Sequence, residues 1–192
     1  MLEALLNIDR DLFLFLNGLN NPFFDVIMQY ISAKYTWIPL YAFLLYLMIK
    51  EYRWNTLWLV GSVVVLITLS DQSSNLFKYT FERLRPCHNP ELEPFVHYFR
   101  CGGRFGFFSA HSSNTFALAT FVALLFTGKQ YLYLRIVFFS YAGLNAYSRI
   151  YLGVHYPGDV IFGALIGALI GIAVFLLWSK VIKKNKHLAI NY

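Results

Sequence analysis

The sequence predicts an all-α fold, a polytopic membrane helical bundle of five to six membrane helices with an interfacial N-terminal helix. Three observations predict it. Of the 192 residues, 58% are hydrophobic and 14% charged, against about 45–50% and about 25% in an average soluble domain. Mean hydropathy is +0.51. The apolar residues also fall in runs near the length a membrane helix needs, about 20 residues, with the charges between them. This balance excludes a disordered chain, a coiled coil and most soluble globular domains. The length suits a single domain over residues 1–192. The net charge of +6 comes without a basic block suited to nucleic acid, so no nucleic-acid partner is expected.

Residues 1–33 read first as an interfacial or re-entrant helix pair, with a tilted sixth span as the alternative. The apolar Leu12–Leu16 is flanked by Asp9, Arg10 and Asp11. Asn20-Asn21-Pro22 then breaks the chain, and Phe23–Ser32 is too short to span easily. No small-residue cleavage site follows a basic start, so no removable signal peptide is expected. Spans follow at about 36–50, 54–82, 110–127 and 131–152, each bounded by a turn or charge signal. The second half of 54–82 carries Asp71-Gln72-Ser73-Ser74-Asn75. Polar residues at that depth must face other helices or a water-filled cavity, so this half is expected to line a site. The clearest span is Val160–Trp178, without a charge and preceded by Pro157-Gly158. Gly163, Gly167 and Gly171 recur on one of its faces and allow close approach of another helix.

Orientation follows from the loops. Lys50, Arg53, Lys129, Lys180, Lys183, Lys184 and Lys186, with Glu51 the only acid, share one face, which includes the basic tail 179–192. The positive-inside rule makes that face cytoplasmic. The 83–109 loop and the 149–159 turn are then extracytoplasmic, on the periplasmic side of a bacterial inner membrane. Cys87 and Cys101 both lie in that outer loop, where an oxidising compartment allows a disulfide. Two free thiols are the alternative. No metal site is expected, because two Cys plus His88 lack an obvious fourth ligand.

Three segments end on the outer face. In the first, Lys78 and Arg85 are seven residues apart, two helical turns, and so project to one side, with Pro86 ending the helix. Asp71, Asn75 and Glu82 fall near the same stripe. In the second, Ser109, Ser112 and Ser113 are credible N-caps at the opening of a span. That helix start offers free N–H groups and a positive dipole end to an anion, and His111 stands beside it. In the third, Arg149, His155 and Asp159 fall within eleven residues of hydrophobic helix ends. A His next to a buried carboxylate has its tautomer fixed and its basicity raised. Taken singly, each segment also has a plain structural reading: snorkelling cations, a capping Ser with an interfacial His, a helix-dipole Asp. Together they assemble cations, a helix N-terminus, two histidines and a carboxylate, which suits a phosphate ester.

Lys78-x6-Arg85-Pro86, Ser109-Ala110-His111 and Ser148-Arg149-x5-His155-x3-Asp159 resemble, in order and spacing, the three-part signature of the type-2 phosphatidic acid phosphatase superfamily. The resemblance covers about residues 54–178. It implies a six-helix-type membrane phosphatase acting on lipid phosphates without metal or other cofactor. It implies His155 as nucleophile, Asp159 as its activator and His111 as the proton donor to the leaving group. Lys78, Arg85, Ser109, Ala110 and Arg149 would hold the phosphate. Two positions depart from the pattern. Phe108 and Ala110 stand where the family usually has Pro and Gly, so the turn must be one that Ala can adopt. The expected partners are the bilayer and a lipid phosphate, with undecaprenyl diphosphate leading and lipid A phosphate and phosphatidylglycerol phosphate following. Arg100, Arg104 and His88 either read a headgroup or are solvated. The competing classes are a vanadate-type haloperoxidase and a non-catalytic transporter or lipid-phosphate-binding protein. The second would show repeated halves, and no internal repeat is present. Oligomeric state is not legible.

Overall fold

The computed structural model describes residues 2–184. Its helices are α1 (Leu2–Asn17), α2 (Pro22–Ser32), α3 (Ile38–Tyr52), α4 (Thr56–Phe81), α5 (Ala110–Leu125), α6 (Leu132–Tyr151) and α7 (Pro157–Lys184). Among the described residues there is no strand, only an isolated antiparallel bridge between Leu84 and Phe105. Among the described residues, Lys34–Phe81 and Pro157–Val181 are the two stretches long and apolar enough to cross a membrane. The basic tail is described only to Lys184, and Lys186 lies outside the described residues.

The bundle is built around α5. Buried residues occur on all its faces, from Ser112 to Leu125, as expected of a helix enclosed by others. It packs against α4, α6 and α7. The glycine stripe of α7 meets it. A Cβ at Gly163 would stand 2.6 Å from the Ser109 carbonyl oxygen, and one at Gly171 2.5 Å from that of Ala117. Only glycine allows the two backbones to approach so closely, so the stripe serves packing within this chain.

The loops sort to two ends. At one, the Tyr52 hydroxyl donates to the Leu125 carbonyl at 2.8 Å and its ring meets Trp178. At the other, the 83–109 segment joins the 149–159 turn through Cys87 N–H to Gly153 O and Ser109 N–H to Asp159 O. Cys87 and Cys101 are joined by a disulfide with Cα atoms 5.8 Å apart. Gly153 makes the turn at φ +71°, pressed against His97 and Val96, where a side chain would be both strained and blocked.

The short N-terminal helices belong to this second end. Asn21 caps α2, its Oδ1 accepting from Phe23 and Phe24 N–H, with Pro22 at the first helical position. Asn17 at the end of α1 donates to the carbonyls of Ile150 and Tyr151 and to that of His97, and accepts from His97 N–H. The other face of α1 turns Leu5, Ile8, Leu12 and Phe15 outward, at helical spacing.

One expectation fails here. α4 does not run on to Arg85. It stops at Phe81, where Glu82 turns left-handed at φ +46°, so the two-turn spacing does not align Lys78 with Arg85. Arg85 is extended (φ −65°, ψ 153°), as the residue before a proline prefers. Its N–H is held by the Arg104 carbonyl at 3.1 Å, beside the Leu84–Phe105 bridge.

Candidate active site

Four elements bring the site together: the end of α4, the extended 83–86 segment, the start of α5 and the α6–α7 turn. Lys78 lies within electrostatic range of Arg85, Arg149, Asp71 and Asp159. Arg85 donates from Nε to Phe105 O and from Nη1 to Cys101 O at 2.6 Å, so the disulfide-tied loop aims its guanidinium. Arg149 reaches from the last turn of α6, its Nη1 bonded to the Ser32 hydroxyl. Among the described residues none of these three cations has a carboxylate within 4.0 Å. They lie within electrostatic range of one another, an arrangement that favours an anion among them.

The second segment opens α5. Ser109 is its N-cap (φ −71°, ψ 110°), with its hydroxyl accepting from Ser112 N–H. Ala110 is the first helical residue, so the substitution of Ala for the family's Gly needs no left-handed backbone. Phe108 is fully buried among Phe77, Phe107 and Phe162, and its carbonyl accepts from the Ser74 hydroxyl. His111, one residue into the helix, is within electrostatic range of His155, Arg149, Lys78 and Lys34.

The third segment places His155 in the turn before α7, with Nδ1 3.5 Å from Asp159 Oδ2. This is close, yet longer than a hydrogen bond. Burial, then Arg85, Arg149 and Lys78, push the imidazole well below its ordinary 6.5. It is therefore neutral at pH 7, with a lone pair available for attack. Asp159 is fully buried at the start of α7, and its Oδ2 also accepts from Tyr156 N–H at 3.1 Å.

The cation that pairs with Asp159 is Arg83, which the sequence did not single out. Its Nη1 donates to Asp159 Oδ1 at 2.7 Å and its Nη2 to Asp9 Oδ2 at 2.6 Å, while the guanidinium lies over the Tyr156 ring. Burial works against the Arg83 charge, but Asp159 and Asp9 outweigh it and raise its pKa. Asp9 also accepts from Gly158 N–H at 2.7 Å with Oδ1, which ties α1 to the start of α7. Asp9, Arg83 and Ser32 thus support the site without belonging to its motifs. The available signal was Asp9 itself, a carboxylate in an apolar N-terminal helix. His88 bonds the Gly102 carbonyl. Arg104 lies over the Phe105 ring and Arg100 lines a cavity beside Arg149. Among the described residues no cluster of three His, Cys, Asp or Glu is placed to hold a metal ion.

The PAP2 superfamily model matches residues 56–183. The chain belongs to the PAP2 superfamily. Two relatives of this PAP2 protein bear the name lipid A 4'-phosphatase. That of Bacteroides thetaiotaomicron is 40% identical over 186 residues, covering 94% of this chain and 81% of its own. That of Porphyromonas gingivalis is 38% identical, covering 92% and 75%. An undecaprenyl-diphosphatase of Sulfolobus acidocaldarius is 35% identical, covering 81% and 67%. The crystal structure of Aquifex aeolicus LpxE superposes with a TM-score of 0.67 at 28% identity, covering 86% of this chain and 93% of that one. The protein is an integral-membrane lipid phosphatase, a phosphoric monoester hydrolase. Membership of this family leaves no ground for the transporter alternative.

Proposed function

We propose that this PAP2 enzyme removes a phosphate monoester from a lipid A-type glycolipid through a phosphohistidine. The lipid A reading replaces undecaprenyl diphosphate as the leading substrate. It is supported by two lipid A 4'-phosphatases at 40% and 38% identity over more than nine-tenths of the chain, against 35% over 81% for the diphosphatase. The observation that carries the chemistry is a neutral, buried His155 against Asp159, facing Lys78, Arg85 and Arg149.

Phosphate oxygens lie between the three cations and the N-terminal amides of α5, including that of Ala110, beside the Ser109 cap. His155 Nε2 attacks phosphorus, and the ester P–O bond breaks as His111 gives its proton to the leaving sugar oxygen. Asp159 steadies the positive imidazole through Nδ1–H. The resting 3.5 Å gap closes as charge develops, since catalytic hydrogen bonds are often loose in the free enzyme. Water, deprotonated by His111, then attacks phosphorus and releases inorganic phosphate and free His155. No step calls for a metal or other cofactor. Five membrane helices, α3 to α7, cross the bilayer, with α1 and α2 in the outer interface, a reading supported by the outward Leu5, Ile8, Leu12 and Phe15. The basic loops at the opposite end support a site on the periplasmic face of the inner membrane, where the Cys87–Cys101 bridge would be stable.

Phosphate release by the purified protein from lipid A, undecaprenyl diphosphate and phosphatidylglycerol phosphate tests the substrate, with lipid A expected to give the highest kcat/KM. Radiolabelled substrate quenched during turnover should leave label on protein, absent in His155→Ala. Full activity of His155→Ala sinks the mechanism.

A further inference from the structure

A cavity of about 560 Å³ lies at the outer end of the bundle, between the C-terminal end of α2, the 83–109 loop and the α6–α7 turn. That volume is within the range of small-molecule sites, about 300–1,000 Å³. Two arginines line it, Arg149 from the last turn of α6 and Arg100 from the disulfide-tied loop, with Gln29 and Ser32 of α2. Among the described residues no carboxylate lines it. Asp25, one turn before Gln29, is engaged elsewhere: its Oδ1 is bonded to His97 Nε2 and accepts from the Tyr151 hydroxyl, both at 2.8 Å. The walls therefore carry two positive charges that no lining acid offsets. A concave surface charged with one sign concentrates the opposite charge.

Arg149 joins this cavity to the site already described. Its Nη1 donates to the Ser32 hydroxyl and its Nε is sealed, but Nη2 has no partner among the described residues and is not among the sealed atoms. Nη2 is therefore open, and the cavity is what Arg149 lines. The same guanidinium is within electrostatic range of Lys78, Arg85 and His155. It borders both spaces, so a headgroup whose phosphate it holds can extend into the cavity. There Gln29 Nε2 donates to the Asp25 carbonyl, which leaves Oε1 to accept from a sugar hydroxyl. Arg100 is exposed and makes no hydrogen bond or ion pair among the described residues. Its fork matches a phosphate bidentately. We infer that the cavity receives a second phosphate on the headgroup and that Arg100 binds it, so that the enzyme selects a glycolipid with two phosphate groups over one that carries the scissile ester alone. The inference rests on the lipid A reading and sharpens it to the phosphorylation state of the substrate.

The test compares two glycolipids with the purified protein in neutral detergent, where no anionic lipid competes. Both carry the same scissile phosphate ester. One has in addition a phosphonate in place of the second phosphate, which keeps the charge and cannot be hydrolysed. A charge-assisted hydrogen bond from an exposed arginine, discounted for solvent screening, is equivalent to about 10-fold. The doubly charged lipid should therefore lead in kcat/KM by about 10-fold, mostly through KM. In Arg100→Gln the lead should fall to about 2-fold or less, and Arg100→Lys should retain part of it. Equal turnover of the two lipids by the wild type overturns the inference, leaves the lipid A reading standing and depends on no variant folding. A lead that survives unchanged in Arg100→Gln also overturns it, since a merely structural arginine would lower both lipids together. So does inorganic phosphate that raises turnover of the singly charged lipid to that of the other, because the cavity then takes a free anion. Hydrolysis of undecaprenyl diphosphate but of neither glycolipid overturns the lipid A reading and the inference with it.

Discussion

Replacing Arg83 by Met should disable the enzyme although Arg83 lies outside the phosphate-binding set. Its guanidinium spans two carboxylates, at 2.7 Å from Asp159 and 2.6 Å from Asp9. Asp159 is fully buried and the Asp9 side chain is 14% exposed, so solvent can replace little of what is lost. Charge-assisted hydrogen bonds contribute about 1.5–3 kcal/mol each, and breaking a buried pair from one side is destabilising by about 3–5 kcal/mol. We expect a loss of that size in unfolding of the purified protein followed by tryptophan fluorescence. Asp159 also loses the partner that fixes Oδ1, and with it the aim of Oδ2 at His155. Misplacement by about 1 Å can lower a rate 100-fold. We therefore expect kcat to fall about 100-fold with KM little changed, because Arg83 supports Asp159 rather than the lipid. Arg83→Lys should be intermediate, since one ammonium cannot reproduce the fork to both acids. Arg83→Met with wild-type kcat and an unchanged unfolding midpoint would refute the reasoning.

Three further outcomes are expected. The depressed pKa of His155 means that its contribution to stability is fully present above the unfolded value of 6.5 and is lost as pH falls from there toward the folded value. The stability of wild type relative to His155→Asn, measured by thermal unfolding, should therefore worsen below pH 6.5 and be flat above it. Gly167 of α7 presses on the Ser113 backbone whereas Gly61 has open space around it, so Gly167→Val should destabilise by about 1–3 kcal/mol and Gly61→Ala should be near neutral in the same assay. Cys87→Ser/Cys101→Ser should lose about 3 kcal/mol for its loop of about 15 residues and raise KM for the lipid phosphate, because the Cys101 carbonyl holds Arg85.

Much of this architecture was legible in the sequence because it is written locally. Pro22, Ser109, Gly153 and Pro157 each mark a boundary through their own backbone chemistry, and α2, α5 and α7 begin where those signals stand. The end of α4 was not. The pattern of Lys78 and Arg85 fits a helix, but Glu82 turns left-handed and the chain then runs extended to meet Phe105, a partner 21 residues away from Leu84. The same holds for Asp9, Asn17 and Ser32. Each acts on residues between 74 and 149 positions distant, and no periodicity within a window encodes such a pairing. The three motifs gave the residues proposed to face phosphate, while those that hold the motifs in place came only with the tertiary structure. The proposed substrate lay beyond the motifs altogether, because the phosphoryl-handling role proposed for them says nothing of the alcohol.

The bridge through Arg83 also sets an order of assembly. Arg83 follows Asp9 by 74 residues and precedes Asp159 by 76, so during synthesis the first acid meets its cation long before the second is made. A ribosome that stalls before α7 leaves an Arg83 already neutralised by Asp9 and a helix α5 with one face bare. Only arrival of the last helix supplies Asp159, the partner of His155, and the glycine face together. On the proposed mechanism the hydrolytic power of the enzyme therefore awaits the last helix, and a chain lacking Asp159 should be inert toward the lipids around it.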